Sequence, residues 1–229
     1  MTKILVWIPS WDWRLVPELN TFIENIKIDW CIVNKVLSKR TLVNRARNVM
    51  ILKAIQEWYD YILFLDDDNI PENPNTVKEL LDMDVDIATW IYLTRIWDRK
   101  FILYDKVSDQ EWRYKQIEKI DRNRWQIFEV WATWWGCVLI KIAVFKKLME
   151  KYSYHQFEDK ITHFYEWVEY VFDKPLLDIS KVTRCKMWWD VTFCDRATTE
   201  WFKIYANTNC PLLHIWQEEI IKVTDDFYI

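Results

Sequence analysis

The first 95 residues of the chain consist of short apolar runs separated by longer segments with apolar residues at helical spacing. The runs predict buried strands, and the spaced segments predict helices. Strands are expected at Lys3–Ile8, Cys31–Val36, Tyr59–Leu65 and Val85–Tyr92. Helices are expected near Leu15–Ile26, Thr41–Glu57 and Thr76–Leu81, the last with Asn75 as its N-cap. Strands that alternate with helices predict an α/β fold with a parallel sheet and helices on both of its faces.

After residue 95 the apolar periodicity is weaker. It predicts a strand over Val130–Ile140 that a turn interrupts, a helix over Ala143–Lys151, a helix over Asp190–Thr198 and a strand over Phe202–Ala206. Residues 96–128 indicate polar, hairpin-like pieces, and residues 152–186 show no clear period. Because no linker, repeat or low-complexity segment divides the chain, its 229 residues are expected to form one domain.

The amino-acid composition indicates which kinds of binding partner to expect. Hydrophobic residues make up 51% of the chain, charged residues 29%, and the net charge is -4. This is typical of a globular protein without the basic surface that nucleic acid requires. No apolar run approaches the roughly 20 residues that span a bilayer, so we expect no transmembrane segment, and peripheral association with a membrane stays open. The five cysteines show no Cys-x-x-Cys spacing, which favours free thiols and a cytoplasmic location.

The chain has 17 tryptophans and one glycine, whereas ordinary usage would give roughly 16 glycines at this length. Tight turns and helix C-caps need a positive φ, which glycine adopts without strain. Trp58 follows a predicted helix, Trp201 joins a helix to a strand, and Trp11 and Trp13 lie in a loop. One hypothesis is that UGA codons, decoded as glycine in the source, are written here as tryptophan. The alternative is a genuinely Trp-rich sugar binder with many aromatic platforms.

Three consecutive carboxylates follow the apolar run Tyr61–Leu65, in the segment Asp66-Asp67-Asp68-Asn69. Their position predicts the carboxyl end of a parallel sheet, where ligands bind in such folds. Carboxylate oxygens suit Mg²⁺ or Mn²⁺. If the alternation of the strand continues, Asp66 and Asp68 face one side while Asp67 points away. The alternative is a solvated acidic turn.

This segment resembles the Asp-x-Asp motif of GT-A glycosyltransferases, in particular the family-2-like members. There the motif follows a strand rich in Leu and Phe and precedes a proline-containing turn. Ile8-Pro9-Ser10 is similar to the nucleotide-contacting loop of the family, and Arg45-Ala46-Arg47-Asn48 is similar to its Ala-Arg-Asn segment. With its tryptophans restored to glycines, Ala132-Thr133-Trp134-Trp135-Gly136-Cys137 resembles the small-residue loop that lies beside the donor sugar in the family. Indoles at these two positions are expected to fill space that the sugar needs.

Two later segments extend the resemblance. Trp189-Asp190-Val191-Thr192-Phe193-Cys194 resembles the Glu-Asp-x-x-Phe-Cys segment of the family, with Trp189 in place of the usual Glu. The second acidic residue of that segment, here Asp190, is the usual catalytic base of inverting members. His214 is similar to a late histidine that joins the metal in several members.

The resemblance implies a single GT-A domain with a Rossmann-like, mostly parallel central sheet, in which residues 1–95 bind the nucleotide and residues 96–229 form the acceptor side. It implies a hexosyl- or related glycosyltransferase that moves a sugar, with inversion, from a UDP- or GDP-sugar to a glycan, lipid-linked or protein acceptor. The implied cofactor is Mn²⁺ or Mg²⁺, bound by Asp66, Asp68 and His214. Asp190 is expected to deprotonate the acceptor hydroxyl. Contacts to the nucleotide-sugar are expected from Pro9, Ser10, Arg45, Arg47, Asn48, Asp67 and Gly136, with either arginine stabilising the departing diphosphate.

Other functions stay open at this point. A GT-A-like nucleotidyltransferase usually carries a glycine-rich basic loop near its N-terminus, which residues 10–14 match poorly. A Trp-rich carbohydrate-binding module would bind sugar without a nucleotide or a metal. A degenerate relative would bind a nucleotide-sugar without turnover. If Asp190 does not reach the acceptor, a retaining mechanism or an inactive protein is expected.

Overall fold

A computed structural model of the chain describes residues 1–10, 15–39, 43–94, 99–106, 114–121, 126–152, 189–216, 219–224 and 226. Within these ranges the strands are β1 (Thr2–Ser10), β2 (Cys31–Lys39), β3 (Tyr61–Leu65), β4 (Asn69–Pro71), β5 (Ile87–Ile91), β6 (Leu103–Lys106), β7 (Tyr114–Gln116), β8 (Ile127–Val130), β9 (Ala132–Thr133), β10 (Cys137–Lys141), β11 (Ile204–Trp216) and β12 (Glu219–Ile221). The helices are α1 (Pro17–Asn25), α2 (Val43–Gln56), α3 (Thr76–Asp82), α4 (Ile142–Tyr152) and α5 (Trp189–Thr199).

The central sheet has the strand order β12-β11-β5-β10-β3-β1-β2. β1 pairs in parallel with both β2 and β3, and β5 pairs in parallel with β11. β10 lies between β3 and β5 and runs antiparallel to both. From β11 to β2 the sheet is therefore mostly parallel, as predicted. A smaller sheet has the order β7-β6-β9.

The apolar runs form the middle of the central sheet because both of its faces are covered. Residues Ile4–Ile8 of β1 are at most 1% exposed. On one face Leu5 and Trp7 pack with apolar side chains of α2, α4 and α5. On the other face Ile4 and Val6 pack with those of α1 and α3. The prediction of helices on both faces is confirmed.

The largest difference from the predicted elements is in β11, which extends well beyond the expected strand Phe202–Ala206. It is long because its first part pairs with β5 and β8, and its last part pairs with β4 and β12. As a result His214 lies inside a strand, opposite Asn69. The unperiodic segment 152–186 falls, apart from its first residue, outside the described ranges.

The start of α3 also differs from its prediction. Asn75 occupies the N-cap position, but its side chain makes no capping hydrogen bond. The polar contacts come from Asn73, whose Oδ1 accepts the Asn75 N–H at 2.8 Å and whose carbonyl accepts the Thr76 N–H at 3.1 Å. The side chain that organises the turn is therefore two residues earlier than the sequence indicated.

Two of the tryptophans in the described ranges have the backbone conformation expected of glycine. Trp58 has a φ of 60° and Trp201 a φ of 70°, and their side chains are 77% and 91% exposed. Both residues follow helices, as predicted, and occupy the left-handed region that favours glycine. The indoles of Trp7, Trp90 and Trp135, in contrast, are fully buried. The predicted loop positions Trp11 and Trp13 lie outside the described ranges.

Three cysteine side chains are described, and all three are free thiols, as predicted: Cys31, Cys137 and Cys194. Burial raises the pKa of Cys194 to about 12, so this thiol stays protonated at neutral pH. Among the described residues, no helix has both the length and the apolarity that crossing a bilayer requires.

Candidate active site

The chain turns immediately after β3, and this acidic turn, Asp66–Asn69, carries the three predicted carboxylates. The Asn69 N–H donates to the Asp66 carbonyl at 3.2 Å, which closes a four-residue turn. The predicted alternation of side chains is wrong here, because the extended strand ends at Leu65. Asp66 and Asp68 therefore contact different partners.

Asp66 lies on the side of Arg47, a residue of α2. The Arg47 side chain is only 4% exposed. Its Nη1 lies 2.6 Å from Asp190 Oδ1, and its Nη2 lies 3.6 Å from Asp66 Oδ1. A buried guanidinium needs such anionic partners, because the loss of hydration is otherwise too costly. The structure thus directs Arg47 to two carboxylates of the chain itself.

Asp190 lies in the first turn of α5, where the helix dipole stabilises a negative charge. Its Oδ1 accepts the hydrogen bond from Arg47, and its Oδ2 accepts the backbone N–H of Trp135 at 3.1 Å. The side chain remains 16% exposed. Asp190 is therefore held in one orientation and is still open to a ligand.

The predicted turn at Trp134-Trp135-Gly136 precedes β10 and links the acidic residues through its backbone. The Gly136 carbonyl accepts the Asp66 N–H at 2.8 Å, and the Gly136 N–H donates to Tyr92 Oη at 2.9 Å. None of the three turn residues has a positive φ. Gly136 is required for space: a Cβ there would lie 2.4 Å from Tyr92 Oη and 2.8 Å from Asn69 Nδ2.

The indole of Trp135 points into the core below the site. Its ring centroid lies 4.6 Å from that of Phe64 and 4.5 Å from that of Phe193. The Arg47 guanidinium lies 5.2 Å from the centroid of the same indole. The expectation that an indole at position 135 fills the sugar space is therefore wrong, because neighbouring aromatic side chains enclose it. Trp134 packs at the margin of both apolar clusters and is half-buried.

Asp68 lies on the side of His214. Its Oδ1 is 3.8 Å from His214 Nε2 and accepts a hydrogen bond from Asn69 Nδ2 at 2.9 Å. His214 Nδ1 lies 2.7 Å from the carbonyl of Leu93. Because a carbonyl only accepts, Nδ1 carries the hydrogen, and in the neutral ring Nε2 keeps its lone pair. The lone pair is thus on the ring nitrogen nearer to Asp68.

The pair Asp68 and His214 fits one divalent cation. Two donors that each lie about 2.1 Å from an ion are at most about 4.2 Å apart, and the pair is 3.8 Å apart. Asn69 Oδ1, on the neighbouring side chain, is buried with no hydrogen-bond partner. Within the described ranges, no three His, Cys, Asp or Glu side chains already form a metal cluster. An ion at this pair would therefore need further ligands, such as water or phosphate oxygens.

The other predicted contact residues lie at or near the same edge of the sheet. Pro9 and Ser10 end β1, next to β3, and Asp67 lies in the acidic turn. Asn48 follows Arg47 in α2, and neither polar atom of its fully buried carboxamide has a hydrogen-bond partner. Arg45 belongs to α2, and its side chain is outside the described part of the structure.

Tyr92 and Asn69 also belong to the candidate site, although no sequence motif predicted them. Burial raises the pKa of Tyr92 well above its ordinary value, and the carboxylates of Asp66 and Asp190 raise it further. Its hydroxyl is therefore neutral, accepts from Gly136 and keeps a hydrogen to donate. Tyr92 directly follows β5, so the rule that ligands gather at the carboxyl ends of parallel strands would have found it.

A cavity of about 570 Å³ opens at the opposite edge of the sheet, where β1 and β3 begin. Tyr61, Lys141 and Lys146 are among the side chains that line it. The residues of the acidic turn do not line this cavity. It is therefore separate from the candidate site.

This protein is similar to known proteins in its structure and not in its sequence. No known family profile and no curated protein matches the sequence. The fold is similar to that of A197 from STIV, with a TM-score of 0.55, 17% identity, and coverage of 98% of this chain and 95% of A197.

Two other solved structures match the fold of this chain with lower TM-scores. Mannose-1-phosphate geranyltransferase from Thermus thermophilus matches with a TM-score of 0.48 and 10% identity, over 93% of this chain and 76% of its own. TarS 1-349 from S. aureus matches with a TM-score of 0.43 and 12% identity. The match covers 90% of this chain and 60% of the TarS chain. At such scores neither adds to the likeness with A197, with which this chain shares its fold over almost the whole length of both proteins.

Proposed function

We propose that this protein is a metal-dependent glycosyltransferase, which moves a sugar from a nucleoside-diphosphate donor to an acceptor hydroxyl. The observation that carries the proposal is where its charged side chains meet. Asp66, Asp68 and Asp190 gather with Arg47 and His214 at the carboxyl edge of a mostly parallel sheet. This is the edge at which α/β sheets bind ligands.

Asp68 and His214 would hold the cation, Mn²⁺ or Mg²⁺. The cation would neutralise the charge that develops on the departing diphosphate. Asp66, the third predicted ligand, keeps 18% of its side chain exposed in the same turn, so an ion bound with the donor has room to recruit it. The oxygen and nitrogen donors of this set are those that these ions accept.

Asp190 would act as the base. Its two oxygens accept hydrogen bonds from Arg47 and from the Trp135 N–H, and its side chain is still 16% exposed. The carboxylate can take the proton of an acceptor hydroxyl while the hydroxyl oxygen attacks the anomeric carbon. Attack from the side opposite the leaving diphosphate inverts the configuration.

The Asn48 side chain is evidence that a polar ligand binds at this edge. A buried carboxamide with neither atom hydrogen-bonded costs the folded state about 1–3 kcal/mol for each group. A nucleotide that pairs with both atoms would recover this cost. Pro9, Ser10, Asp67, Arg45 and Gly136 remain proposed contacts of the same donor, and Arg47 is assigned to holding Asp66 and Asp190 in place.

The test is calorimetric titration with UDP- and GDP-sugars, with and without Mn²⁺. The wild type is expected to bind one of these donors only when Mn²⁺ is present, and Asp68→Ala is expected to abolish that binding. Asp82→Ala is the matched control, because Asp82 is an exposed carboxylate that pairs with Lys78 on α3. A folded wild-type protein that binds no nucleotide-sugar contradicts the proposal.

One observation favours a second candidate, the nucleotide-sugar-binding protein without turnover. Both Asp190 oxygens already accept hydrogen bonds within the protein, so the carboxylate also serves to hold Arg47 and the Trp135 backbone in place. Metal-dependent binding of a donor with no transfer to any acceptor alcohol, and no hydrolysis, would identify this candidate.

A further inference from the structure

Asn69 joins the acidic turn to the long strand β11, and its side chain is buried at 1% exposure. It begins β4 and lies directly opposite His214 in the antiparallel pairing of β4 with β11. One residue before Asn69, the Asp68 carbonyl accepts the N–H of Ile215, the residue that follows His214 in β11, at 2.8 Å. The backbones that carry Asp68, Asn69 and His214 are therefore fixed to one another.

The Asn69 side chain fixes the carboxylate as well. Its Nδ2 donates to Asp68 Oδ1 at 2.9 Å, and this is the oxygen that lies nearest to His214 Nε2. The other end of the carboxamide, Oδ1, is buried without a partner. An apolar side chain of the same size would avoid that cost, so the carboxamide is explained by its N–H bond to Asp68.

The room for this side chain comes from Gly136. A Cβ at position 136 would lie 2.8 Å from Asn69 Nδ2 and 2.4 Å from Tyr92 Oη. Contacts this short do not occur in folded proteins, so any larger residue would displace the carboxamide, the tyrosine or both. The glycine thus keeps open the space that Asn69 occupies beside Asp68.

We propose that Asn69 is the positioning residue of the cation site, which sets Asp68 Oδ1 at the spacing from His214 Nε2 that one divalent ion requires. The inference rests on the proposed function, because it assumes that Asp68 and His214 bind the ion. Asn69 orients a ligand and does not itself bind the ion. Residues of this kind are worth about 10–100-fold in metal affinity.

The experiment measures Mn²⁺ affinity of the donor-free protein by the electron paramagnetic resonance of the free ion. Asn69→Leu is expected to weaken Mn²⁺ binding at least tenfold. Asn207→Leu is the matched control, because Asn207 is a buried asparagine of β11 whose Oδ1 accepts the Asn209 N–H at 2.9 Å and does not touch Asp68. The control is expected to stay within twofold of the wild type.

Asn69→Ser covers the case in which the leucine variant does not fold, since its short hydroxyl cannot span the distance to Asp68. If either folded variant binds Mn²⁺ within twofold of the wild type while Asp68→Ala does not bind it, the inference is overturned and the proposed function stands. If the donor-free wild type binds no Mn²⁺, the inference is overturned, and the proposed function still depends on the separate titration with nucleotide-sugars.

A double-mutant cycle tests the role of Gly136. Gly136→Ala is expected to weaken Mn²⁺ binding about as much as Asn69→Leu, and the double variant should be little worse than either single one, because both changes remove the same hydrogen bond. Independent, additive losses would contradict an action of Gly136 through Asn69.

Discussion

Asp66 and Asp68 are two residues apart in one turn, yet their surroundings differ. Asp66 shares the buried guanidinium of Arg47 with Asp190, so its side of the turn combines two carboxylates with a permanent cation. Asp68 lies beside the carboxamide of Asn69 and the imidazole of His214, neither of which is a permanent cation. The first side is a built-in ion-pair network, and the second side carries the proposed cation site.

This difference separates two kinds of energetic role. Substitutions on the Arg47 side should affect the free energy of unfolding, because they leave buried charge without its partner. Substitutions on the His214 side should affect ligand affinity more than the free energy of unfolding. Asp190 has both kinds of role, since it belongs to the ion-pair network and is the proposed base.

The largest expected effect is on turnover. Asp190→Asn keeps an oxygen that can accept from Arg47 but loses the basicity that proton transfer needs. We expect kcat to fall about 10²–10⁴-fold while the donor affinity stays within a few-fold of the wild type. Steady-state kinetics with calorimetry of donor binding measures both, and an equal loss of binding would show that Asp190 contacts the donor instead.

Arg47→Leu should destabilise the protein by about 3–5 kcal/mol, because the carboxylates of Asp66 and Asp190 would lose the cation between them. Urea unfolding followed by circular dichroism gives the value. The double variant Arg47→Leu/Asp190→Asn should recover part of the loss, since it removes one of the two charges. An Arg47→Leu variant within 1 kcal/mol of the wild type would contradict the ion-pair network.

His214→Asn should weaken Mn²⁺ binding at least tenfold with little change in stability. The amide nitrogen of the asparagine can still donate to the Leu93 carbonyl, as His214 Nδ1 does, but the ring nitrogen near Asp68 is gone. Isothermal titration with Mn²⁺ checks the affinity. A loss of stability with unchanged affinity would mean that His214 is structural.

The smallest expected effect is on stability, at a residue outside the candidate site. Trp58→Gly should raise the free energy of unfolding by about 1 kcal/mol, because glycine removes the strain of a left-handed backbone at φ 60°. Mn²⁺ affinity should not change. Trp30→Gly is the matched control, because Trp30 is also exposed, at 46%, but has no positive φ, so glycine there should be destabilising.

The sequence predicted the parts of this molecule that depend on local pattern. β1 and β3 followed from uninterrupted apolar runs, the acidic turn followed from its position after β3, and Trp58 followed from its place after a helix. The pairing of Arg47 with Asp190 could not be predicted, because 143 residues separate them and one sequence carries no signal of contact over that distance. The role of Gly136 was also hidden, since it depends on how closely Tyr92 and Asn69 approach.

The position of β10 has a consequence for the order in which the chain can fold. When the first 91 residues have left the ribosome, β2, β1 and β3 can pair with one another, but β5 has no neighbour among them. β10 supplies that neighbour, with Val138 opposite both Phe64 and Thr89. Pairing across so long a stretch of chain is slow, and the edge of β3 stays open until it occurs. We therefore expect the edge of β3 to be open to pairing with other chains while about fifty further residues are synthesised.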